Sequence, residues 1–75
     1  MSLKIPMNLS IKSAAFPESS PGVIRVTLVL LDGRKIREVS LTRKGELIKI
    51  GDKPVSSIWD MDFNVFEIKD VIREA

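Results

Sequence analysis

Apolar and polar residues alternate along two neighbouring segments of this chain, Val23–Leu31 and Arg34–Thr42. Alternation with period two predicts β-strands that each have one buried face. Asp32-Gly33 lies between the segments, and Asp-Gly between two β-rich runs predicts a hairpin with a type I′ turn, whose central residues both need positive φ. The buried face of the first strand is predicted to comprise Ile24, Val26, Leu28 and Leu30.

The second strand of this hairpin changes phase near its middle. Val39 and Leu41 share one face, but Ile36 is out of phase with them. A bulge near Arg37-Glu38 would return all three to a common buried face, because a bulge inserts one extra residue into a strand. We therefore predict a bulged and bent second strand.

Shorter elements are predicted on either side of the hairpin. Leu3–Ile11 alternates strictly between apolar and polar residues, which predicts a half-buried strand with Pro6 at a sheet edge. After the hairpin, a turn in which Gly45 takes positive φ leads to a short strand over Glu46–Ile50. Val55–Trp59 is a candidate fifth strand.

The C-terminal segment fits two local structures. Asn64 and Glu67 have the spacing of a helix capping box. Helical spacing is also found among Ile68, Val71, Ile72 and Ala75. Phe63 and Val65 instead favour an extended strand. We predict a strand near Asp62–Phe66, followed by a short C-terminal helix.

Together these elements predict a mainly β fold, namely a small antiparallel barrel or strongly curled sheet of five to six strands with a short C-terminal helix. SH3-like and Sm-like small barrels have this kind of architecture. The 75 residues are expected to form a single domain, 1–75. So short a chain buries roughly 60% of its unfolded surface, and without cysteine it has no disulfide, so self-association is the reinforcement that remains.

Charge is distributed unevenly along the chain, although the formal net charge is only +2. Residues 1–58 hold ten basic and five acidic side chains, and residues 59–75 hold two basic and five acidic ones, so the body is about +5 and the tail about −3. A basic body attracts polyanions at long range. Mixed-sign surfaces are also typical of soluble domains. We expect the acidic tail to pack against the basic sheet of its own or a neighbouring subunit.

The side chains that carry most catalytic mechanisms are missing. Histidine and cysteine are absent, which excludes a histidine-based triad, a cysteine nucleophile and an ordinary zinc site. Ser56-Ser57 has no evident base, and Asp60-Met61-Asp62 supplies too few oxygen ligands for a hard cation. Glu38 and Glu46 are interpreted as surface charges. We predict no catalytic residue, no metal site and no cofactor, and expect that the protein is not an enzyme.

Two sets of side chains remain as candidates for binding. The predicted protein interface comprises Trp59, Phe63, Phe66, Val29 and Leu31. The predicted polyanion contact, in an alternative interpretation, comprises Arg34, Lys35, Arg37, Arg43, Lys44 and Lys49. Nucleic-acid modules of β type interleave basic residues with exposed aromatics, and here no aromatic lies in the basic hairpin.

The sequence therefore predicts a non-catalytic interaction module that forms a homo-oligomer, preferably a dimer, or binds another protein. The alternative is a small barrel that binds RNA or DNA without sequence specificity. No apolar run approaches the ~18 residues of a membrane helix, and no signal-peptide core is present. We expect no membrane association and a cytoplasmic location.

Overall fold

A computed structural model describes residues 3–74 of the chain. One helix, α1 (Met7–Ala14), precedes the sheet in this range. The strands are β1 (Val23–Leu30), β2 (Lys35–Thr42), β3 (Leu47–Ile50), β4 (Lys53–Pro54) and β5 (Ile68–Arg73). Two 3₁₀ helices, Ile58–Asp60 and Val65–Glu67, lie between β4 and β5.

All five strands belong to one antiparallel sheet with the order β4-β3-β2-β1-β5. The prediction of a mainly β, antiparallel fold is therefore confirmed. The predicted barrel is wrong, because β4 and β5 lie at opposite edges and do not pair with each other. A two-residue β4 is too short to close a ladder around the core, so the sheet stays open.

The predicted β1–β2 hairpin is confirmed, but its turn is of another type. The N–H of Gly33 donates to the carbonyl of Leu30 at 2.9 Å, and the N–H of Leu30 donates to the carbonyl of Arg34 at 2.8 Å. Three residues therefore form the loop, and among them only Gly33 has positive φ, at 94°. This is a type I turn followed by a left-handed glycine, so the type I′ prediction is wrong.

Three bulges explain why apolar residues three positions apart share the buried face. In β2, Val39 pairs with Val26 whereas Ile36 pairs with Leu28, so the predicted bulge at Arg37-Glu38 is confirmed. Register shifts of the same size occur in β3 and β5. Each bulge moves the next apolar residue to the core face. The resulting pairs are Ile36 and Val39, Leu47 and Ile50, and Ile68 and Val71.

The N-terminal segment forms a helix, so the strand predicted over Leu3–Ile11 is wrong. α1 follows Pro6, whose ring fixes φ near the value that a helix start needs. Leu9 and Ser13, one helical turn apart, are its buried residues. An alternating pattern also places apolar residues four positions apart, a spacing that a helix uses equally well.

The segment before β5 contains 3₁₀ helices where strands were predicted. The fifth strand predicted over Val55–Trp59 is wrong, because the fourth strand is the two-residue β4 and a 3₁₀ helix follows it. The strand predicted near Asp62–Phe66 is also wrong. The side chain of Asn64 does cap a helix start, accepting from the N–H of Phe66 at 2.9 Å, but that helix is a single 3₁₀ turn.

The predicted C-terminal helix is a strand. β5 pairs with β1 from Ile68 to Arg73, and its bulge gives Ile68 and Val71 the three-residue spacing that resembles a helix. Ala75, the last residue of the predicted helix, lies outside the described residues. The helix of this fold is therefore N-terminal.

The core lies on one face of the sheet. The predicted stripe Ile24, Val26, Leu28 and Leu30 is confirmed as buried, with at most 1% of each side chain exposed. α1 and the segment between β4 and β5 contribute further buried residues. These are Leu9, Val55, Phe63 and Val65. The other face of the sheet carries the polar and cationic residues described next.

Candidate functional site

A row of three side chains crosses the face of the sheet opposite the core. Arg25 of β1 pairs with Ser40 of β2, and Ser40 pairs with Lys49 of β3. Directly paired residues project to the same face of a sheet. Arg25 and Lys49 are exposed, whereas Ser40 is only 9% exposed. A small hydroxyl therefore lies between two cations.

A shallow cavity of about 350 Å³ opens over this row. The loop before β1 forms one of its walls. Val23 donates its N–H to the carbonyl of Ser20 at 2.9 Å, and Ser19 donates its N–H to the carbonyl of Val23 at 2.9 Å, which holds the loop beside the strand. The cavity is lined by Ser19, Ser20, Val23, Arg25, Ser40, Ile48 and Lys49.

The structure divides the predicted polyanion set. Lys35 pairs with Val29 and Arg37 lies in the β2 bulge, so both are on the same face as Lys49. Lys35 and Arg37 are exposed there. Arg25 belongs to this cationic face too, although it was not in the predicted set.

The other predicted cations lie elsewhere. Arg34 reaches from the β1–β2 turn to Asp32 and Asp62, each at 3.2 Å. The hydrogen bond to Asp62, together with both negative charges, raises the pKa of Arg34 despite some opposing desolvation. Arg43 lies 3.4 Å from Glu18. Lys44 lies beside α1, where its carbonyl accepts a hydrogen bond from a serine.

Glu74 places a carboxylate beside the cationic face. Its Oε2 accepts hydrogen bonds from the Thr27 hydroxyl at 2.6 Å and from the N–H of Glu38 at 2.8 Å. Burial pushes the pKa of Glu74 upward, but these hydrogen bonds and the charges of Arg25 and Arg37 outweigh it and hold the pKa below its ordinary value. The acidic tail therefore packs against the sheet of its own subunit, as the charge distribution predicted.

A second tail contact joins β5 to the helix. Lys12 of α1 donates to the carboxylate of Asp70 at 2.7 Å. This hydrogen bond, with one from the N–H of Val71, lowers the pKa of Asp70. The tail is thus held to the β1–β2 hairpin through Glu74 and to α1 through Asp70.

Exposed apolar side chains gather at the end of the molecule that carries the β1–β2 turn. Leu31 is 67%, Trp59 87% and Phe66 82% exposed. The N–H of Leu31 donates to the carbonyl of Glu67 at 2.8 Å, which ties this turn to the segment that carries the two aromatics. We call Leu31, Trp59 and Phe66 the apolar end.

The rest of the predicted interface set is not exposed at the apolar end. Phe63 lines a shallow cavity beside Trp59 but is only 6% exposed and packs in the core. Val29 is half-buried on the cationic face. Of the five predicted interface residues, Val29 is therefore the one that lies on another surface.

Trp59 is held on a tightly hydrogen-bonded turn. The carboxylate of Asp60 accepts from the N–H of Ser56 at 3.0 Å, from its hydroxyl at 3.2 Å and from the N–H of Ser57 at 3.2 Å. The backbone hydrogen bonds from Ser56 and Ser57 lower the pKa of Asp60. An exposed indole on a fixed turn loses little conformational entropy when it binds a partner.

Two further features escaped the sequence analysis. Met7 and Ile11, which are 78% and 69% exposed, lie one turn apart on α1, but the predicted strand had assigned them to the buried face. The row through Ser40 depends on strand register, which a three-residue loop and a bulge set jointly. The row could have been found by pairing Ser40 with Arg25, which follows when the loop length and the bulge are both counted.

Within residues 3–74, no three Asp or Glu side chains gather in a way that could hold a metal ion. No helix in this range is long and apolar enough to cross a membrane. Comparisons with protein-family models, curated proteins and solved structures find no match to this chain.

Proposed function

We propose that this protein is a non-catalytic interaction module that pairs with a second copy of itself through the apolar end. The observation that carries this proposal is the 87% exposure of Trp59 on a turn fixed by Asp60. Tryptophan is among the residues most enriched at the energetic centres of protein interfaces. Leu31 and Phe66 are 67% and 82% exposed, and the hydrogen bond from Leu31 to Glu67 brings their backbones close together.

The charges around the apolar end suit contact between identical copies. Arg34 stands beside Asp32 and Asp62, so cation and carboxylates lie at one rim. In a two-fold interface the same surface patch of both copies is in contact. Arg34 of each copy can therefore face Asp32 or Asp62 of the other. The existing ion pairs are exposed and contribute little to stability, so exchanging them costs little.

Sedimentation equilibrium tests this proposal. We expect the wild-type protein to dimerise at tens of micromolar and Trp59→Ser to weaken dimerisation at least about tenfold, as truncation of an interface centre does. Met7→Ser is the matched control, because Met7 is a large exposed apolar residue on α1, away from the apolar end. It should leave dimerisation unchanged.

Fluorescence gives a second measurement of the same event. Trp59 is the only tryptophan in the chain, so its emission should shift to shorter wavelength as protein concentration rises. A protein that stays monomeric at hundreds of micromolar, with concentration-independent emission, would contradict the proposal. Equal weakening by Trp59→Ser and Met7→Ser would place the interface elsewhere.

Binding of nucleic acid through the cationic face is the second candidate function. The observation that favours it is the presence of Arg25, Lys35, Arg37 and Lys49 on one side of the sheet. Against it, Trp59 and Phe66 lie at the apolar end, so no stacking platform is available among these cations. We expect no saturable binding of single-stranded RNA or duplex DNA near physiological salt.

Charge reversal separates these two functions. If nucleic acid binds, its affinity should fall steeply with salt, because each neutralised phosphate releases counterions. Lys35→Glu should then weaken binding and flatten the salt dependence, whereas Lys44→Glu, beside α1, should do so less. Micromolar binding with this pattern would promote the second candidate.

A further inference from the structure

We propose that the cavity over Arg25, Ser40 and Lys49 binds the phosphate group of a small phosphate monoester. The cavity is bounded and lies on the sheet face, away from the apolar end. The proposal therefore stands independently of self-association. It also differs from polyanion binding, because it uses one shallow cavity rather than the whole cationic face.

The geometry of the row suits a single anionic group. Directly paired residues have their Cβ atoms roughly 4.5–5.5 Å apart, so the stems of Arg25 and Lys49 rise about 10 Å apart with Ser40 midway between them. The short Ser40 side chain leaves a gap that the two long cations flank. A guanidinium can contact two phosphate oxygens at once, and an ammonium adds a compact charge.

The donors around this gap are free to bind a ligand. Within residues 3–74, the hydroxyls of Ser20 and Ser40 donate to no protein group, and neither Arg25 nor Lys49 lies within 4.0 Å of a carboxylate oxygen. Among the described lining residues none is acidic. The Ser40 hydroxyl is open to the cavity between two cations without a carboxylate partner, so it can donate to an acceptor oxygen of a phosphate.

Two carboxylates near the site limit its positive charge: Glu18 precedes the cavity loop and pairs with Arg43, and Glu74 interacts with Arg25. The Glu74 carboxylate interacts electrostatically with Arg25 but is fixed by its hydrogen bonds to Thr27 and Glu38, on the next pair along the strands. Glu74 is not among the residues that line the cavity, so its carboxylate offsets part of the positive charge of Arg25 without occupying the place of a ligand. Neutralising Glu74 should therefore strengthen anion binding.

The size and walls of the cavity indicate what carries the phosphate. A volume of about 350 Å³ lies at the lower end of the range for small-molecule pockets. Val23 and Ile48 supply an apolar wall beside the cations. These features suit a compact ester whose phosphate contacts Ser40 and whose organic part packs against Ile48.

Titration with phenyl phosphate, followed by the amide resonances of the isotopically labelled protein at constant ionic strength, tests the proposal. We expect saturable shifts centred on Ser20, Ser40 and Lys49. Lys49→Gln and Arg25→Gln should each weaken binding about tenfold, the effect of losing one charge-assisted contact. Lys35→Gln, a cation on the same face but outside the cavity, should change affinity by less than about twofold.

Three further measurements distinguish the source of the affinity. Inorganic phosphate should bind at the same residues more weakly than phenyl phosphate, because it lacks the part that packs on Ile48. Glu74→Gln keeps an acceptor for Thr27 while removing a charge, and it should tighten binding about two- to threefold. Ser40→Ala tests the hydroxyl without removing a cation and should weaken binding severalfold.

The following results would overturn the proposal. Shifts that grow linearly without saturation and are reproduced by chloride would show only screening of the cationic face. Equal losses from Lys35→Gln and Lys49→Gln, with a short oligoribonucleotide binding more tightly than phenyl phosphate, would show a diffuse polyanion surface. Preserved spectra of the unliganded variants show that they remain folded, so either result is decisive.

Discussion

The carboxylate of Glu74 accepts a hydrogen bond of 2.6 Å from the hydroxyl of Thr27, although 47 residues separate them in the chain. The same oxygen accepts the N–H of Glu38 at 2.8 Å. Glu38 has a φ of 58° and belongs to the β2 bulge that lies opposite Thr27. The side-chain carboxylate of Glu74 therefore accepts the backbone N–H of Glu38, the non-glycine residue of this hairpin that has positive φ.

Removing this carboxylate should destabilise the fold. We expect Glu74→Ala to lower the free energy of unfolding by about 1–3 kcal/mol, because it leaves a part-buried hydroxyl and a bulge N–H without their acceptor. Glu74→Gln keeps an acceptor oxygen and should cost less. Urea denaturation measures the differences, with Glu46→Ala as an exposed carboxylate control expected to change stability by less than about 0.5 kcal/mol.

A double-mutant cycle identifies the origin of that loss. Thr27→Val and Glu74→Ala should be non-additive, since each removes the same hydrogen bond. Additive losses would show that Glu74 stabilises the sheet by another route.

Stability should decline in acid because of Glu74 and Asp70. The folded protein holds both pKa values below their ordinary range, so each carboxylate stabilises the fold fully above its unfolded pKa of about 4. That contribution is lost as pH falls through the lower folded pKa. Unfolding free energies measured between neutral pH and about pH 3 should therefore decrease below about pH 4–5.

Glu74→Gln provides the control for this acid dependence. The variant cannot titrate at that position, so its stability should fall less steeply in acid than that of the wild-type protein. An identical acid dependence in the two proteins would contradict a lowered pKa at Glu74.

The hairpin was predictable because its signals are local. Alternation identified Leu28 and Leu30 as core residues, and the phase change between Ile36 and Val39 identified the bulge. The β5 strand was not predictable by the same rules. Its bulge spaces Ile68 and Val71 by three residues, a spacing that from sequence alone favours a helix.

The N-terminal helix was missed for a related reason. Alternation from Leu3 to Ile11 favours a strand, although residues four apart within it, such as Met7 and Ile11, also share a helix face. Tertiary contacts decide between them, because Leu9 and Ser13 pack inward while Ile11 remains exposed. Sequence patterns contain no direct information on those contacts.

The candidate sites were predictable only in part. Trp59 was predicted to be at an interface because Asp60 follows it. Leu31 was included because the predicted strand Val23–Leu31 becomes apolar on both faces where it ends. The cavity row was hidden because the three-residue loop and the β2 bulge shift the pairing of Ser40 in opposite directions. Combining the bulge with the predicted two-residue loop pairs Ser40 with Val26, and the third loop residue offsets the bulge and restores the pairing with Arg25.

The buried stripe of β1 should dominate stability. Leu28 is fully buried, and Leu28→Ala should cost about 2–5 kcal/mol through lost burial and the remaining cavity. We expect so large a loss to unfold much of the population of so small a domain at 37 °C. Ile11→Ala removes as many carbon atoms from a 69% exposed position on α1, outside the apolar end, and should cost less than about 0.5 kcal/mol. Thermal denaturation of both variants checks the contrast, and a loss below about 1 kcal/mol for Leu28→Ala would contradict it.

Two glycines with positive φ should respond differently to alanine. Gly33 has a φ of 94° with nothing within 4 Å of an added Cβ, so Gly33→Ala should cost only the strain of a left-handed residue, about 1–2 kcal/mol. Gly45 has a φ of 82°, and an added Cβ would lie 2.7 Å from the Cβ of Ser10. Gly45→Ala should therefore cost more, because α1 must also move away from the β2–β3 turn.

The cause of that difference can be tested directly. Ser10 donates to the carbonyl of Lys44 at 3.1 Å, and the N–H of Ile5 donates to the carbonyl of Gly45 at 3.0 Å, so the clash falls where the N-terminal segment docks on the turn. Ser10→Gly should recover part of the loss in the Gly45→Ala background while destabilising the wild-type protein, as measured by urea denaturation. Equal losses for Gly33→Ala and Gly45→Ala, with no recovery by Ser10→Gly, would show that this contact does not hold α1 against the sheet.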